Sequence, residues 1–202
     1  MKKVTLLLAA LVFGAASFAG SGEKQIYSIN VEKSTIYWTG EKVTGEHTGT
    51  LMIKSGSIEV EDGTPVGANF IIDMNSIVCT DIEDAGTNKK LIGHLKSDDF
   101  FGVEKFPEGS FMATSFTPIK GASGRDANYT IKGKLTLKGK TQDIEFKAFI
   151  SVDDSTLTSN GSAVFDRSEY DIRYGSGSFF DNLGDKTIYD DVSLTFVLSA
   201  RK

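Results

Sequence analysis

The chain has 202 residues, 24% of them charged, and a formal net charge of −5 at pH 7. Because nucleic acid phosphates favour a basic protein surface, this acidic balance argues against a protein that binds nucleic acid. Cys79 is the single cysteine of the sequence, so no intramolecular disulfide stabilises the fold, and we expect a buried thiol.

Residues 1–19 have the pattern of a secretory signal peptide. Two lysines precede an apolar run over residues 4–13, and Ser17 and Ala19 place small residues where signal peptidase cleaves. A retained membrane anchor is the alternative, but the run is shorter than the ~20 residues that a membrane span needs. We therefore predict cleavage after Ala19, a periplasmic or secreted location, and no stable membrane insertion.

Alternation of apolar and polar residues dominates the rest of the chain and predicts β-strands, because successive side chains of a strand point to opposite faces. Early strands are predicted over residues 25–31, 34–40, 49–63 (broken near Ser55-Gly56) and 67–77. Later strands are predicted over 109–119, 129–137, 142–152, 158–168 and 192–200. Lys138-Gly139-Lys140 indicates a hairpin turn between two of them.

One segment departs from the strand pattern. Residues 87–97 place Leu91, Ile92 and Leu95 at helical spacing, although Gly93 weakens the helix. The chain shows no linker or repeat, so we predict one domain over residues 20–202. Many antiparallel strands with little helix are compatible with two architectures, a sandwich and a closed barrel. The interior of such a barrel is either filled by side chains or holds a ligand.

A family resemblance follows from the segment "GHLKSDDFFGVEKFPEGSFMATSF", residues 93–116. It resembles the marker segment of YceI-like proteins at His94, Leu95, Ser97, Asp99, Phe100, Phe101, Lys105, Phe106, Pro107, Phe111 and Thr114. "AVFDRSEYDI" is similar to another strand of that family, and the resemblance extends over residues 26–200. The chain departs from the family pattern at Gly102 and in the longer, glycine-rich stretch 173–186.

The resemblance implies an all-β fold, an antiparallel lipocalin-like β-barrel of about eight strands with one short helix. It further implies a secreted or periplasmic protein that holds a polyisoprenoid or other long-chain amphiphilic lipid inside the barrel, with no other cofactor. A homodimer is left open. We expect the cavity or its mouth to be formed by Trp38, Phe70, His94, Phe100, Phe101, Phe106, Phe165, Arg167 and Tyr170. Arg167 is the candidate for a polar head group, because its planar donors suit phosphate or a polar ring.

Several aromatic residues outside the predicted core have two readings. Phe100, Phe101 and Phe106 lie beside the predicted helix, and Phe179 and Phe180 lie in the glycine-rich stretch. Each group either packs as a small cluster or forms a lipid gate at the barrel mouth.

Catalysis and metal binding are the alternatives to carriage of a lipid. His94 and Ser97 can face each other on a helix, with Asp98 nearby, but no Gly-x-Ser-x-Gly turn accompanies them. We therefore expect that the protein is not an enzyme. The two rival functions are a lipid-modifying hydrolase or isomerase, and a filled barrel that acts as a stress or adhesion module. His47, His94 and Cys79 are far apart in sequence, so no zinc-ligand spacing is present, and "DIEDAGTN" lacks the calcium-loop pattern.

Overall fold

Residues 23–202, the part that a computed structural model describes, form nine strands and one α-helix. The predicted signal peptide lies outside this part of the chain. The strands are β1 (Lys24–Ile29), β2 (Thr35–Lys42), β3 (Gly45–Glu61), β4 (Thr64–Cys79), β5 (Glu108–Pro118), β6 (Tyr129–Leu137), β7 (Lys140–Val152), β8 (Thr156–Asp166) and β9 (Ile188–Arg201). Helix α1 (Ala85–Lys96) separates β4 from β5, and short 3-10 turns occupy Val31–Lys33, Arg167–Tyr170 and Gly184–Lys186.

Antiparallel pairing closes the strands into a barrel. The order around the ring is β3-β2-β9-β8-β7-β6-β5-β4, and β4 pairs back onto β3. Strand β1 pairs with the far ends of β3 and β9, so it continues the position of β2 along the barrel wall. The predicted all-β, antiparallel, eight-stranded barrel with one short helix is confirmed, and closure rules out the sandwich.

Two tight turns give the hairpins their register. Lys138 and Gly139 both have positive φ, +50° and +72°, and Leu137 pairs with Lys140 across them. Asp62 and Gly63 form the equivalent turn between β3 and β4. Two consecutive residues with positive φ match the twist of the flanking strands, so the hairpin predicted after β6 is confirmed.

The predicted break near Ser55-Gly56 is wrong. Strand β3 runs through this point without interruption, and its register with β4 shifts between Ile53 and Ser55. Such a bulge inserts an extra residue and bends the strand without ending its pairing. Gly56 is required because a Cβ there would lie 2.5 Å from the ring of Phe70.

One end of the barrel is filled by its own side chains. Tyr27, Val60, Ala148, Leu157 and Ala200 are each at most 1% exposed and belong to one apolar cluster. The Tyr27 hydroxyl donates to the Asp153 carbonyl at 2.8 Å, which satisfies the polar atom of this cluster. We call this the packed end.

The opposite end is covered by α1, by the segment 97–107 that follows it, and by residues 167–187. Asp84 caps the helix by accepting from the Thr87 amide at 2.8 Å, and Ser97 is its C-cap. Lys138 donates to the carbonyls of Asp98 and Asp171, which joins the β6–β7 turn to both covering segments. We call this the capped end; the predicted helix is confirmed, beginning two residues earlier than expected.

Within residues 23–202, no helix combines the length and the apolar character that crossing a membrane requires.

Candidate functional site: an apolar tube inside the barrel

The barrel interior holds two adjoining apolar compartments. The deep compartment adjoins the packed end, and the lid compartment lies beneath the covering segments of the capped end. Each has a cavity volume of about 90 Å³. We call the two compartments together the tube. The two compartments share the lining residues Ile36, Ile72, Leu135 and Leu194.

Four phenylalanines from four strands form an aromatic belt around the deep compartment. They are Phe70, Phe111, Phe146 and Phe196. Ring centroids of successive members lie 6.1, 5.5 and 5.6 Å apart, within the range of favourable aromatic contact. These side chains stay partly accessible although they point inward, because the tube does not close on them. Ser159 is the only polar residue of the lining.

Glycines on the barrel wall make room for the belt. A Cβ at Gly133 would lie 2.4 Å from the Phe111 ring, and one at Gly161 would lie 2.8 Å from the Phe196 ring. Gly56 stands in the same relation to Phe70. Because real Cβ atoms do not approach other atoms so closely, a larger residue at these positions would push the belt into the tube.

The lid compartment is lined by aromatic and aliphatic side chains from both the wall and the cap. Trp38 and Phe165 come from the wall, while Leu95, Phe100 and Phe101 reach in from the cap. The Trp38 indole donates to the Val78 carbonyl at 3.2 Å, so its polar atom is used within the wall. The other lining residues of this compartment are apolar apart from Arg167 and Tyr189.

Arg167 is 2% exposed and contributes the one charged side chain of the tube lining. Its guanidinium donates to four backbone carbonyls, at 2.9 to 3.1 Å, and Nη2 lies 3.1 Å from Asp190 Oδ1. The carbonyls belong to Ile172, Tyr174, Ile188 and Tyr189. Burial lowers the pKa of Arg167, and Asp190 opposes that shift. The guanidinium also lies 5.7 Å from the centroid of the Phe100 ring.

The residues expected at the cavity divide into two groups. Trp38, Phe70, Phe100, Phe101, Phe165 and Arg167 line the tube. His94, Phe106 and Tyr170 stand behind the lining. His94 packs 4.2 Å from the Tyr174 ring and 5.0 Å from the Phe100 ring, and Phe106 covers Gly139 of the β6–β7 turn. Tyr170 packs 5.5 Å from the Phe165 ring, and burial raises its pKa to about 12.

Sequence reasoning missed three members of the aromatic belt. Alternation placed Phe146 and Phe196 on the inward faces of their strands, and Phe111 belonged to the resemblance segment, but none was proposed as a site residue. The inward position was readable from the period-two pattern. Their meeting at one level depends on the registers of β5, β7 and β9, which the pattern does not fix.

The set considered for catalysis is used to end the helix. Ser97 Oγ donates to the His94 carbonyl at 2.7 Å, and the Ser97 amide donates to the same oxygen. The Asp98 carboxylate lies 2.6 Å from Lys105 Nζ on the surface. Ser97 therefore serves as a cap to the backbone of His94.

Three potential metal ligands that are distant in sequence meet where β3 begins and β4 ends. Asp81 Oδ2 lies 2.8 Å from His47 Nδ1, and the Cys79 thiol donates to Asp81 Oδ1 at 3.1 Å. Partial burial raises the pKa of Asp81, but hydrogen bonds from His47, the Thr48 amide and Cys79 outweigh it and lower that pKa to about 2. Burial raises the pKa of Cys79, and the predicted burial of this thiol is confirmed.

Comparison with known proteins agrees with this architecture. A UPF0312 protein of Yersinia enterocolitica is 33% identical over 95 residues, which are 46% of this chain and 43% of that protein. The crystal structure of BcnA from Burkholderia cenocepacia has a TM-score of 0.65 at 22% identity, covering 85% of this chain and 99% of that one. A polyisoprenoid binding domain from Saccharophagus degradans, implicated in plant cell wall breakdown, has a TM-score of 0.59 at 16% identity, covering 87% and 97%.

At such low sequence identities the two structures establish a shared fold. Membership of a family is established by a match to a family model, which compares sequences. The model of the YceI-like domain matches residues 27–200, nearly the whole of the described chain. The family expected from residues 93–116 is confirmed: this chain belongs to the YceI-like domain family.

Proposed function

We propose that this protein is a periplasmic or secreted carrier that holds a polyisoprenoid or another long-chain amphiphilic lipid in its barrel. The observation that carries the proposal is the apolar tube of two adjoining compartments, whose lining includes few polar residues, Ser159, Arg167 and Tyr189. The Saccharophagus domain of the same fold is a polyisoprenoid binding domain, which supports this class of cargo. The location rests on the signal peptide predicted for residues 1–19.

The energetics of the tube favour a long apolar chain. Burying one CH₂ group contributes ~0.8 kcal/mol, so a chain of a dozen carbons gains on the order of 10 kcal/mol before opposing costs. Ordering the chain and moving the belt phenylalanines offset part of that gain, which keeps affinity below the ~20 kcal/mol ceiling of noncovalent binding. A cargo held in this way leaves slowly.

The residues predicted for the site take distinct roles in this proposal. Trp38, Phe70, Phe100, Phe101 and Phe165 contact the apolar chain. Because side chains fill the packed end, the polar head group lies towards the capped end. Arg167 is the charged side chain of the lining at that end, with its guanidinium hydrogen-bonded to four backbone carbonyls and paired with Asp190. His94, Phe106 and Tyr170 support the lining from behind.

The geometry favours binding over the two rival functions. A hydrolase built on His94 and Ser97 would need the Ser97 hydroxyl free, whereas that hydroxyl caps α1. A filled barrel would close the tube with side chains, as happens at the packed end, whereas the aromatic belt leaves its centre open.

A pair of neighbouring substitutions on β8 tests the proposal. Ala163 lines the deep compartment, whereas Val164 points outward and is 52% exposed. We expect Ala163→Phe to fill the tube and weaken binding of a fluorescent long-chain polyene lipid more than about tenfold, because it displaces two or more buried CH₂ groups at ~0.8 kcal/mol each. Val164→Phe, the matched control, keeps the affinity of the unsubstituted protein.

Thermal unfolding of the delipidated variants separates loss of binding from loss of fold. Ala163→Leu fills less of the tube and gives an intermediate affinity if Ala163→Phe folds poorly. Equal lipid affinity of the folded Ala163 and Val164 variants would contradict carriage inside the barrel.

A further inference from the structure

The strongest feature outside the tube is the side-chain cluster of His47, Cys79 and Asp81. One ligand atom from each, an imidazole nitrogen, a thiol sulfur and a carboxylate oxygen, lies within 4.8 Å of the others. None of the three residues lines either compartment of the tube. The cluster therefore lies outside the lining of the tube.

The backbone around the cluster is fixed from several sides. The Thr48 amide donates to Asp81 Oδ1 at 2.8 Å, which orients the carboxylate between its two neighbours. The Thr80 amide donates to the Thr48 carbonyl at 2.9 Å, and Asn88 of α1 donates to the carbonyls of Cys79 and Ile82 at 3.0 Å. Partners of this kind, one layer behind the ligands, hold metal-binding side chains in position.

Size and charge fit a zinc-like cation. Tetrahedral zinc with bonds of ~2.0 Å to nitrogen or oxygen and ~2.3 Å to sulfur separates its ligand atoms by about 3.3–3.5 Å. The hydrogen-bonded contacts of 2.8 Å to Asp81 Oδ2 and 3.1 Å to Asp81 Oδ1 need to open by a few tenths of an ångström. All separations in the set lie within 4.8 Å, so rotation of the side chains brings the three ligand atoms to tetrahedral spacing. A thiolate and a carboxylate together neutralise a divalent charge. The side chains of His47 and Asp81 are 33% and 32% exposed, which leaves a path for the ion.

We propose that His47 Nδ1, Cys79 Sγ and an Asp81 carboxylate oxygen form a binding site for a borderline divalent cation of the zinc type. Water completes the tetrahedron at the fourth position, as in zinc sites with three protein ligands. Sequence spacing gave no sign of this site, because its ligands come together only when β3 pairs with β4 and Gly49 lies opposite Cys79.

Binding of the cation displaces protons in a defined way. An ionised Asp81 only accepts hydrogen bonds, so in the metal-free protein the Cys79 thiol and His47 Nδ1 both carry a hydrogen. The cation replaces the thiol proton, which leaves to solvent. Neutral His47 gives up the hydrogen on Nδ1 and carries one on Nε2, so its proton count is unchanged. One proton is released for each cation bound at a pH where His47 is neutral.

Direct metal binding to the full chain tests the site. Protein freed of metal with a chelator is titrated with Zn²⁺ against a chromophoric competitor, and with Co²⁺ while its spectrum is recorded. We expect one Zn²⁺ per chain and, with Co²⁺, a near-ultraviolet thiolate-to-metal charge-transfer band. Cys79→Ser and His47→Gln should lose at least about 100-fold in Zn²⁺ affinity. His94→Gln, which changes the other histidine, is the control and should bind as the unsubstituted chain does.

Unfolding temperatures of the metal-free variants establish that each is folded before it is titrated. His47→Gln lies on the partly exposed side of the cluster and keeps the test valid if Cys79→Ser is unstable. Zinc bound no more tightly by the unsubstituted chain than by Cys79→Ser and His47→Gln would overturn the proposal. Cobalt bound without the charge-transfer band would overturn it too, because the thiolate would not be a ligand.

Discussion

Arg167 shows how one residue organises the capped end. Among residues 23–202 it is the one charged side chain in the buried class, and it belongs to the 3-10 turn that follows β8. Its donors reach carbonyls at both ends of the segment 172–189, which holds the long loop before β9 against the barrel. Burying a charge is unfavourable unless it is paired, and here four carbonyls accept from the guanidinium while Asp190 Oδ1 forms an ion pair with it at 3.1 Å.

Replacing Arg167 should therefore destabilise the fold. We expect Arg167→Met to lower the free energy of unfolding by about 3–5 kcal/mol, because the partly buried Asp190 and four carbonyls lose their partner. Arg173→Met is the control. Arg173 is largely exposed and pairs with Asp171 on the surface, so its loss should change the free energy by less than about 1 kcal/mol. Chemical denaturation of the delipidated proteins measures both.

The same variant separates the structural role of Arg167 from a role in binding the head group. A folded Arg167→Met protein with undiminished lipid affinity would show that Arg167 supports the loop and does not contact the cargo. An Arg167→Met protein as stable as Arg173→Met would contradict the hydrogen-bond network itself.

At the scale of strands, phenylalanines on some strands point into the tube, and glycines on neighbouring strands leave room for their rings. Strands β4, β5, β7 and β9 supply the aromatic belt, while β6 and β8 supply Gly133 and Gly161 beside it. Large and small residues on neighbouring strands let the rings lie against the wall. The width of the tube is thus set by which strands carry a side chain at the level of the belt.

Adding a single methyl group to this arrangement should be costly. We expect Gly133→Ala to destabilise the barrel by about 1–3 kcal/mol, because the new Cβ meets both the Phe111 ring and the Met112 carbonyl. Gly93→Ala should have the opposite effect. Gly93 lies within α1, and a Cβ there would meet no other part of the protein within 4 Å. Because alanine has a higher helix propensity than glycine, the substitution should stabilise the protein by about 1 kcal/mol.

Thermal and denaturant unfolding of the two alanine variants measures these opposite signs. A Gly133→Ala protein as stable as the unsubstituted chain would mean that the belt rings are free to move away from the wall. A destabilised Gly93→Ala protein would mean that α1 needs its glycine for a contact with the cap.

Strand positions were predictable where alternation is regular. On β6, Ile131, Leu135 and Leu137 are buried while Lys132 and Lys134 are exposed, as the pattern predicts. Strand β3 was harder, because its bulge shifts the alternation by one residue and imitates a chain break. The local pattern reports which face a residue occupies, whereas a bulge is a property of two paired strands.

At the scale of the whole molecule, the barrel and its family were predictable, but the contacts across the barrel were not. Phe70 and Phe100 were expected at the cavity and line it, whereas His94 belongs to the same resemblance segment and stands behind the lining. The meeting of His47 with Cys79 is likewise a consequence of the β3–β4 register. Contacts between residues far apart in sequence depend on closure of the ring, which no single segment encodes.

The packed end and the rest of the barrel interior differ in how completely side chains fill them. The packed end buries its residues almost completely and provides a conventional core. The rest of the interior leaves a tube that aromatic and aliphatic side chains line without filling. A protein that keeps such apolar surface open gives up core packing there, and the lipid that we propose as cargo would restore the lost contacts.

Native mass spectrometry of the mature protein purified from its own host, followed by lipid extraction, tests lipid carriage most directly. We expect a discrete added mass that extracts as an isoprenoid or another long-chain amphiphile, and loss of that mass in Ala163→Phe but not in Val164→Phe. A bare protein mass under gentle conditions, for both the unsubstituted chain and Val164→Phe, would contradict it, because a cargo this apolar does not dissociate into water during purification.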